Sequence, residues 1–163
     1  MDLDRTIREL APRVLRYAIA RTGDPSAGED VAQESLAALV RHWRQAGPPE
    51  SAEAFVFSIA RRRAVRAVVG RKLWVPIEQL FGNHDGAPNP ETQAVCRAEH
   101  RRVRAALARL LRRDREALLL VALGEVGTSE AAVVLGLSVS AVKMRVHRAR
   151  KRLAADLEDG HDH

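Results

Sequence analysis

Lys143, Arg145, Arg148, Arg150, Lys151 and Arg152 put six cations, with His147 among them, into the stretch GLSVSAVKMRVHRARKRL at 136–153, and no acid lies between Glu130 and Asp156. Guanidinium and ammonium groups at this density neutralise a polyanion, and nucleic acid is the polyanion that presents phosphates at regular spacing. On charge alone a solvated basic face is the simpler reading. The rest of the chain offers little competing chemistry. No nucleophile is paired with a base and no glycine loop is framed for phosphate, which argues against an enzyme. The single cysteine, Cys96, cannot form an internal disulfide and has no ligand cluster around it, so a reducing cytoplasm is expected. The terminal Gly160-His161-Asp162-His163 could hold a metal but reads as a disordered tail, so neither metal nor cofactor is expected.

The charged segment has helical order. At 100° per residue Val139, Val142, Val146, Ala149 and Leu153 fall in one stripe, spaced 3, 4, 3, 4, which predicts a buried face. Ser140, Lys143, Met144, His147 and Lys151 point away from it, with Arg145, Arg148 and Arg152 on one shoulder and Arg150 on the other. Ser138 is placed to cap this helix. Upstream, Ala132 is small where two helices would cross, Gly136 permits a positive φ, and Val142 supplies an apolar anchor, which is the frame of a helix-turn-helix. The frame and the acid-free basic helix together point to duplex DNA: Lys143, Arg145, Arg148 and Arg150 would position on phosphates, while Ser140, Lys143, Met144 and His147 would neighbour base edges. About four to six phosphate contacts would give a log–log salt slope of roughly −4 to −5. His147 is equally readable as a solvent-facing residue with no role.

The elements that must carry this helix are also helical. Hydrophobic residues make up 46% of the 163-residue chain but aromatics only 4%, which favours helices packed through small aliphatic side chains. The formal charge of +6 is uneven: residues 1–70 hold 11 basic and 9 acidic side chains, residues 101–163 hold 13 and 8. One stretch, VPIEQLFGNHDGAPNPETQ at 75–93, collects proline, glycine and asparagine and loses helical period, as a linker would. Ahead of it, Ile7, Leu10, Val14 and Ala18 mark a first helix. Ser26 with Glu29 suggests a capping box for a second helix ended by Gly47-Pro48-Pro49, and a third runs from about Ala52 to Lys72. Behind the linker four helices are expected: roughly Thr92 to Leu110, 114–125, 129–135, and the basic helix. The fold class is therefore all-α, with two small helical domains joined by a flexible linker. The N-terminus MDLDRTIREL is charged from its second residue, unlike a leader or membrane anchor, and no apolar run reaches bilayer length.

Three segments in this order, TGDPSAGEDVAQESLAALVRHWR, AFVFSIARRRAVR and the long run from Leu110 to Leu153, resemble the extracytoplasmic-function (ECF) sigma factors, the two-domain sigma factors of bacteria. The resemblance covers nearly all of the chain outside the linker and tail. It implies a sigma region two at 1–72, a linker at 73–93, a region four at 94–157 and a tail at 158–163. It further implies that Asp30, Gln33, Glu34 and Arg41 contact the β′ coiled coil of core RNA polymerase, region four meeting the β flap. By themselves the first three fit a solvated helix face. Phe55, Phe57, Arg61 and Arg62 would open the minus-ten promoter element and hold its unpaired strand, for which aromatic surface and cations are suited. Phe55 and Phe57 point about 200° apart on a helix, so at least one of them is expected in the core. Ser140, Lys143, Met144, Arg145, His147, Arg148, Arg150 and Lys151 would serve the minus-thirty-five element. An anti-sigma factor is the further implied partner.

The chain departs from the family pattern at several positions. The family commonly has tryptophan near Phe55, asparagine at Arg62, proline at Leu111, arginine at Val121 and serine or threonine at Met144. An apolar Met144 would favour a thymine methyl over a hydrogen-bonding edge. Trp74 and Phe81 could dock on either domain or on an inhibitor. Two rival readings share the helix-turn-helix: a stand-alone dimeric regulator, which would bind its site without polymerase, and a sigma-like adaptor that only captures an anti-sigma protein.

Overall fold

The computed structural model describes residues 2–67 and 89–160, and every regular element among them is an α-helix. In chain order these are α1 (Leu3–Thr22), α2 (Pro25–Ala46), α3 (Ala52–Ala67), α4 (Pro90–Arg109), α5 (Arg112–Ala122), α6 (Thr128–Leu135) and α7 (Val139–Asp159). None is long and apolar enough to cross a membrane.

Helices α1, α2 and α3 pack on one another as the N-terminal unit. The expected stripe of α1 holds, with Leu10, Val14 and Ala18 buried, and Tyr17 joins them. Gly28 sets how closely α1 and α2 approach: a Cβ built there would lie 2.6 Å from Ile19 Cγ1 and 2.7 Å from Ile19 Cα. The start of α2 corrects the expected capping box. Asp24, not Ser26, is the N-cap, and its Oδ2 accepts from the Ala27 amide at 3.1 Å. Pro25 decides this, because its fixed φ and missing N–H suit the first helical position. Helix α3 buries Ala52, Ala54, Val56, Phe57, Ala60 and Ala64, so small residues let it lie close to α1 and α2.

The C-terminal unit builds on α5 and α7. Helix α4 begins at Pro90, capped by the Asn89 side chain, two residues before the expected start and inside the stretch read as linker; the rest of that stretch, with Trp74 and Phe81, lies outside the described residues. Leu111, in place of the family's proline, immediately precedes α5 and offers it no side-chain cap. Arg115 is buried and its Nη1 donates to the carbonyls of Leu107 and Ala108, both at 3.3 Å, tying α5 to the end of α4. Burial, then Arg21 and Arg112, push its pKa down. At the other end of α4, Arg102 Nη2 donates to the Leu157 carbonyl of α7 at 2.8 Å.

Candidate nucleic-acid and polymerase surfaces

Helices α6 and α7 form the expected helix-turn-helix. Gly136 adopts φ +65, a left-handed conformation that lets the Leu137 amide reach back to the Ala132 carbonyl at 2.9 Å. Ala132 is buried at the crossing. Ser138 caps α7, its Oγ accepting from the Ala141 amide at 3.1 Å. Val142, Val146 and Ala149 are buried, Leu153 is half-buried, and Val139 opens to solvent at the helix start.

The opposite face is where the sequence placed it. Ser140, Lys143, Met144, His147, Arg148, Arg150 and Lys151 are exposed, and Arg145 is half-buried. Met144 has 60% of its surface in solvent, an apolar side chain standing among cations. These side chains differ in a respect that no helical wheel reveals. Arg148 is held by Asp114 of α5, with Nη2 donating to Oδ1 at 2.9 Å and Nε to Oδ2 at 3.3 Å. Asp114 is 4% exposed, and its hydrogen bond and charge hold the Arg148 pKa up. Arg152 faces Asp156 one turn on, at 3.4 Å. Lys143, Arg145, Arg150 and Lys151 have no acidic partner among the described residues. The cations thus divide into a free set and a set already committed within the fold.

On α3 the two phenylalanines separate as their spacing requires. Phe57 is fully buried, its ring edge-on to Tyr17 at a centroid distance of 5.5 Å and its face under the Arg13 guanidinium at 5.9 Å. It is a core residue in this fold and offers no surface to a base. Phe55 is half-buried against His42, centroids 4.8 Å apart, and lines a cleft of about 690 Å³ with Arg62. Arg62 is exposed. Arg61 instead donates from Nε to Glu116 of α5 at 2.6 Å, and that bond holds its pKa up.

On α2, Asp30, Gln33, Glu34 and Arg41 are all exposed and recur at helical spacing along one side. Glu34 is engaged by Arg63 of α3. Val31, Ala32, Ser35 and Leu39 hold the opposite side of α2 in the core. Sequence reasoning missed Asp114 and Glu116, the acids that engage two candidate DNA cations. Neither had a local signal, because their partners lie 34 and 55 residues away.

Comparison with known proteins agrees with this division into two units. Residues 6–73 match the family model described as sigma-70 region 2, and residues 100–153 match sigma-70, region 4. The chain is 32% identical over 139 residues to the RNA polymerase sigma factor CnrH of Cupriavidus metallidurans, covering 80% of this chain and 73% of that one. It is 30% identical over 165 residues to the ECF RNA polymerase sigma factor SigD of Mycobacterium tuberculosis, covering 95% and 76%. Among solved structures, CnrH in complex with the cytosolic domain of CnrY superposes with a TM-score of 0.70 at 24% identity, over 96% of this chain and 88% of that one. The sigma factor RpoE in complex with the anti-sigma factor NepR from Bartonella quintana gives 0.65 at 21%, over 95% and 96%. With both halves matched in order and the fold shared along nearly the whole length, the chain belongs to the sigma-70 family, in its extracytoplasmic-function group.

Proposed function

We propose that this chain is an alternative sigma factor that directs core RNA polymerase to a distinct set of promoters. Its region two spans 1–72 and its region four 94–157, with the linker at 73–93 and the tail at 158–163. The observation that carries this reading is the pairing of an exposed cationic helix-turn-helix face on α7 with a separate exposed polar face on α2, each on its own helical unit. Region four reads duplex DNA at the minus-thirty-five element and meets the β flap. Lys143, Arg145, Arg150 and Lys151 grip phosphates there, and Ser140, Lys143, Met144 and His147 lie over base edges.

Region two docks on the β′ coiled coil through Asp30, Gln33, Glu34 and Arg41. Phe55 and Arg62, with Arg61 once released from Glu116, hold the unpaired minus-ten strand. Phe57 supports this face from beneath through the core. Sigma factors are initiation factors, and phosphodiester chemistry belongs to the polymerase, so the chain supplies no catalytic residue and takes no cofactor. It acts in the cytoplasm. The complexes of CnrH with CnrY and of RpoE with NepR support an anti-sigma partner for this chain as well.

The deciding experiment is transcription with purified core polymerase from a pool of randomised promoter fragments. The expected result is enrichment of one bipartite sequence only when the chain and core are both present. Enrichment by the chain alone, as a symmetric site, would instead support the stand-alone regulator.

A further inference from the structure

Met144 and Arg148 stand four residues apart on the outer face of α7, the spacing at which helical side chains meet. Long side chains on a helix lean back toward its N-terminus, so an unengaged Arg148 would reach across Met144. Asp114, in the first turn of α5, instead fixes the guanidinium against its own helix through two hydrogen bonds, from Nη2 to Oδ1 at 2.9 Å and from Nε to Oδ2 at 3.3 Å. Such a two-point pair sets the position of the arginine as well as its charge.

The pair is built to survive contact with DNA. Asp114 is only 4% exposed, Arg148 is its one ion-pair partner among the described residues, and the α5 N-terminus favours a negative charge there. Arg148 could move to a phosphate or a base only by stranding that carboxylate in the packed interior, a costly exchange. The other helical neighbours of Met144 are Ser140 and Ala141 before it and His147 after it. None is a lysine or an arginine. Met144 is 60% exposed, so the middle of an otherwise cationic face is an apolar spot, flanked around the helix by Lys143 and Arg145.

In a major groove the two side chains would ask for different bases. Arginine matches guanine O6 and N7, whereas an apolar side chain matches the 5-methyl group of a pyrimidine. We propose that Asp114 is a positioning residue that sets base preference: by holding Arg148 off the groove it leaves Met144 to read a pyrimidine 5-methyl group, carried by thymine or by 5-methylcytosine. The proposal rests on the reading of α7 as the helix that enters the minus-thirty-five element. It goes further in making cytosine methylation at one position a signal that strengthens the promoter.

The test uses holoenzyme reconstituted with the full chain, and a promoter enriched from the randomised pool. Each minus-thirty-five thymine is replaced in turn by deoxyuridine, which lacks only the methyl group. One replacement is expected to weaken binding about fourfold, the effect of one methyl group returned to water. At that position 5-methyldeoxycytidine is expected to bind about fourfold better than deoxycytidine, which separates the two sources of the methyl group. Met144→Ala is expected to bind thymine and uracil alike. Asp114→Asn and Asp114→Ala release Arg148, and each is expected to shift the enriched base at that position from thymine to guanine by at least about fivefold. Adding Arg148→Gln to Asp114→Asn is expected to return the preference to thymine.

A merely structural loss would weaken binding to every sequence and leave the ranking of bases unchanged. An unchanged ranking in both Asp114 variants, a guanine preference that persists when Arg148→Gln is added, or thymine and uracil bound alike by the unsubstituted chain overturns the proposal. Failure of the sigma-factor reading is a different result: no bipartite promoter is then enriched with core polymerase, and the assignment of Asp114 falls with it.

Discussion

The division of the α7 cations into free and committed sets can be tested through salt. Each phosphate contact adds about 0.9 to the slope of log affinity against log salt on duplex DNA. Five cations were assigned to the minus-thirty-five face, Lys143, Arg145, Arg148, Arg150 and Lys151. With Arg148 held by Asp114 at 2.9 Å, four remain, and the share of the slope due to α7 falls to roughly −3.5. The perturbation is a neutral exchange of the pair, Asp114→Asn with Arg148→Gln, which removes one positive and one negative charge together. Replacing Arg148 alone would strand a carboxylate that is 4% exposed and confound the result.

The assay is binding of the reconstituted holoenzyme to a selected promoter across a fourfold rise in salt. At 0.9 per phosphate, one lost contact changes the affinity ratio by about 3.5-fold over that range. Lys143→Gln is expected to show this change, and the neutral double exchange is expected to show none. Contributions from core polymerase and region two are common to all the proteins and cancel in the comparison. If the double exchange flattens the slope as much as Lys143→Gln does, Arg148 leaves Asp114 to take a phosphate, and the committed set does not exist on DNA.

Three further outcomes follow from the packing. Phe57→Ala should destabilise region two by about 3–5 kcal/mol in denaturant unfolding, as truncation of a fully buried aromatic does, whereas Phe55→Ala should cost much less stability and chiefly lower open-complex formation on promoter DNA. Gly28→Ala should lower the melting temperature through a cost of about 1–3 kcal/mol, because its Cβ would press on the Ile19 backbone; a neutral effect would show that α1 and α2 part easily. Tyr17, the single tyrosine, has its pKa pushed up to about 12 by burial. The folded value lies above the unfolded value near 10, so stability is unaffected below pH 10 and declines by about 2–3 kcal/mol as pH rises toward 12. Tyr17→Phe should remove that part of the decline, and an ultraviolet titration of the native protein should find no phenolate forming near pH 10.

Much of the fold was legible locally. The α1 stripe, the Gly136 turn, the Ser138 cap and the buried face of α7 each follow from residues within two or three helical turns of one another. The start of α2 was misplaced because Asp24 and Ser26 are both competent caps, and the proline between them chose. The opposed directions of Phe55 and Phe57 required one of them to be core, but which one depended on where α1 lies, since Tyr17 and Arg13 close over Phe57.

By itself the sequence determined seven helical segments' worth of amphipathic pattern, a helix-turn-helix frame, an exposed cationic face and the order of motifs that marks a sigma factor. Those are properties of a chain with a 3.6-residue period, in which the face a side chain occupies is set by near neighbours. Tertiary structure decided which charges stay available. Asp114 reaches Arg148 across 34 residues and Glu116 reaches Arg61 across 55, and no periodicity encodes such meetings. They arise from the angles at which packed helices cross, which bring remote acids onto particular arginines and leave Lys143, Arg150 and Lys151 facing solvent.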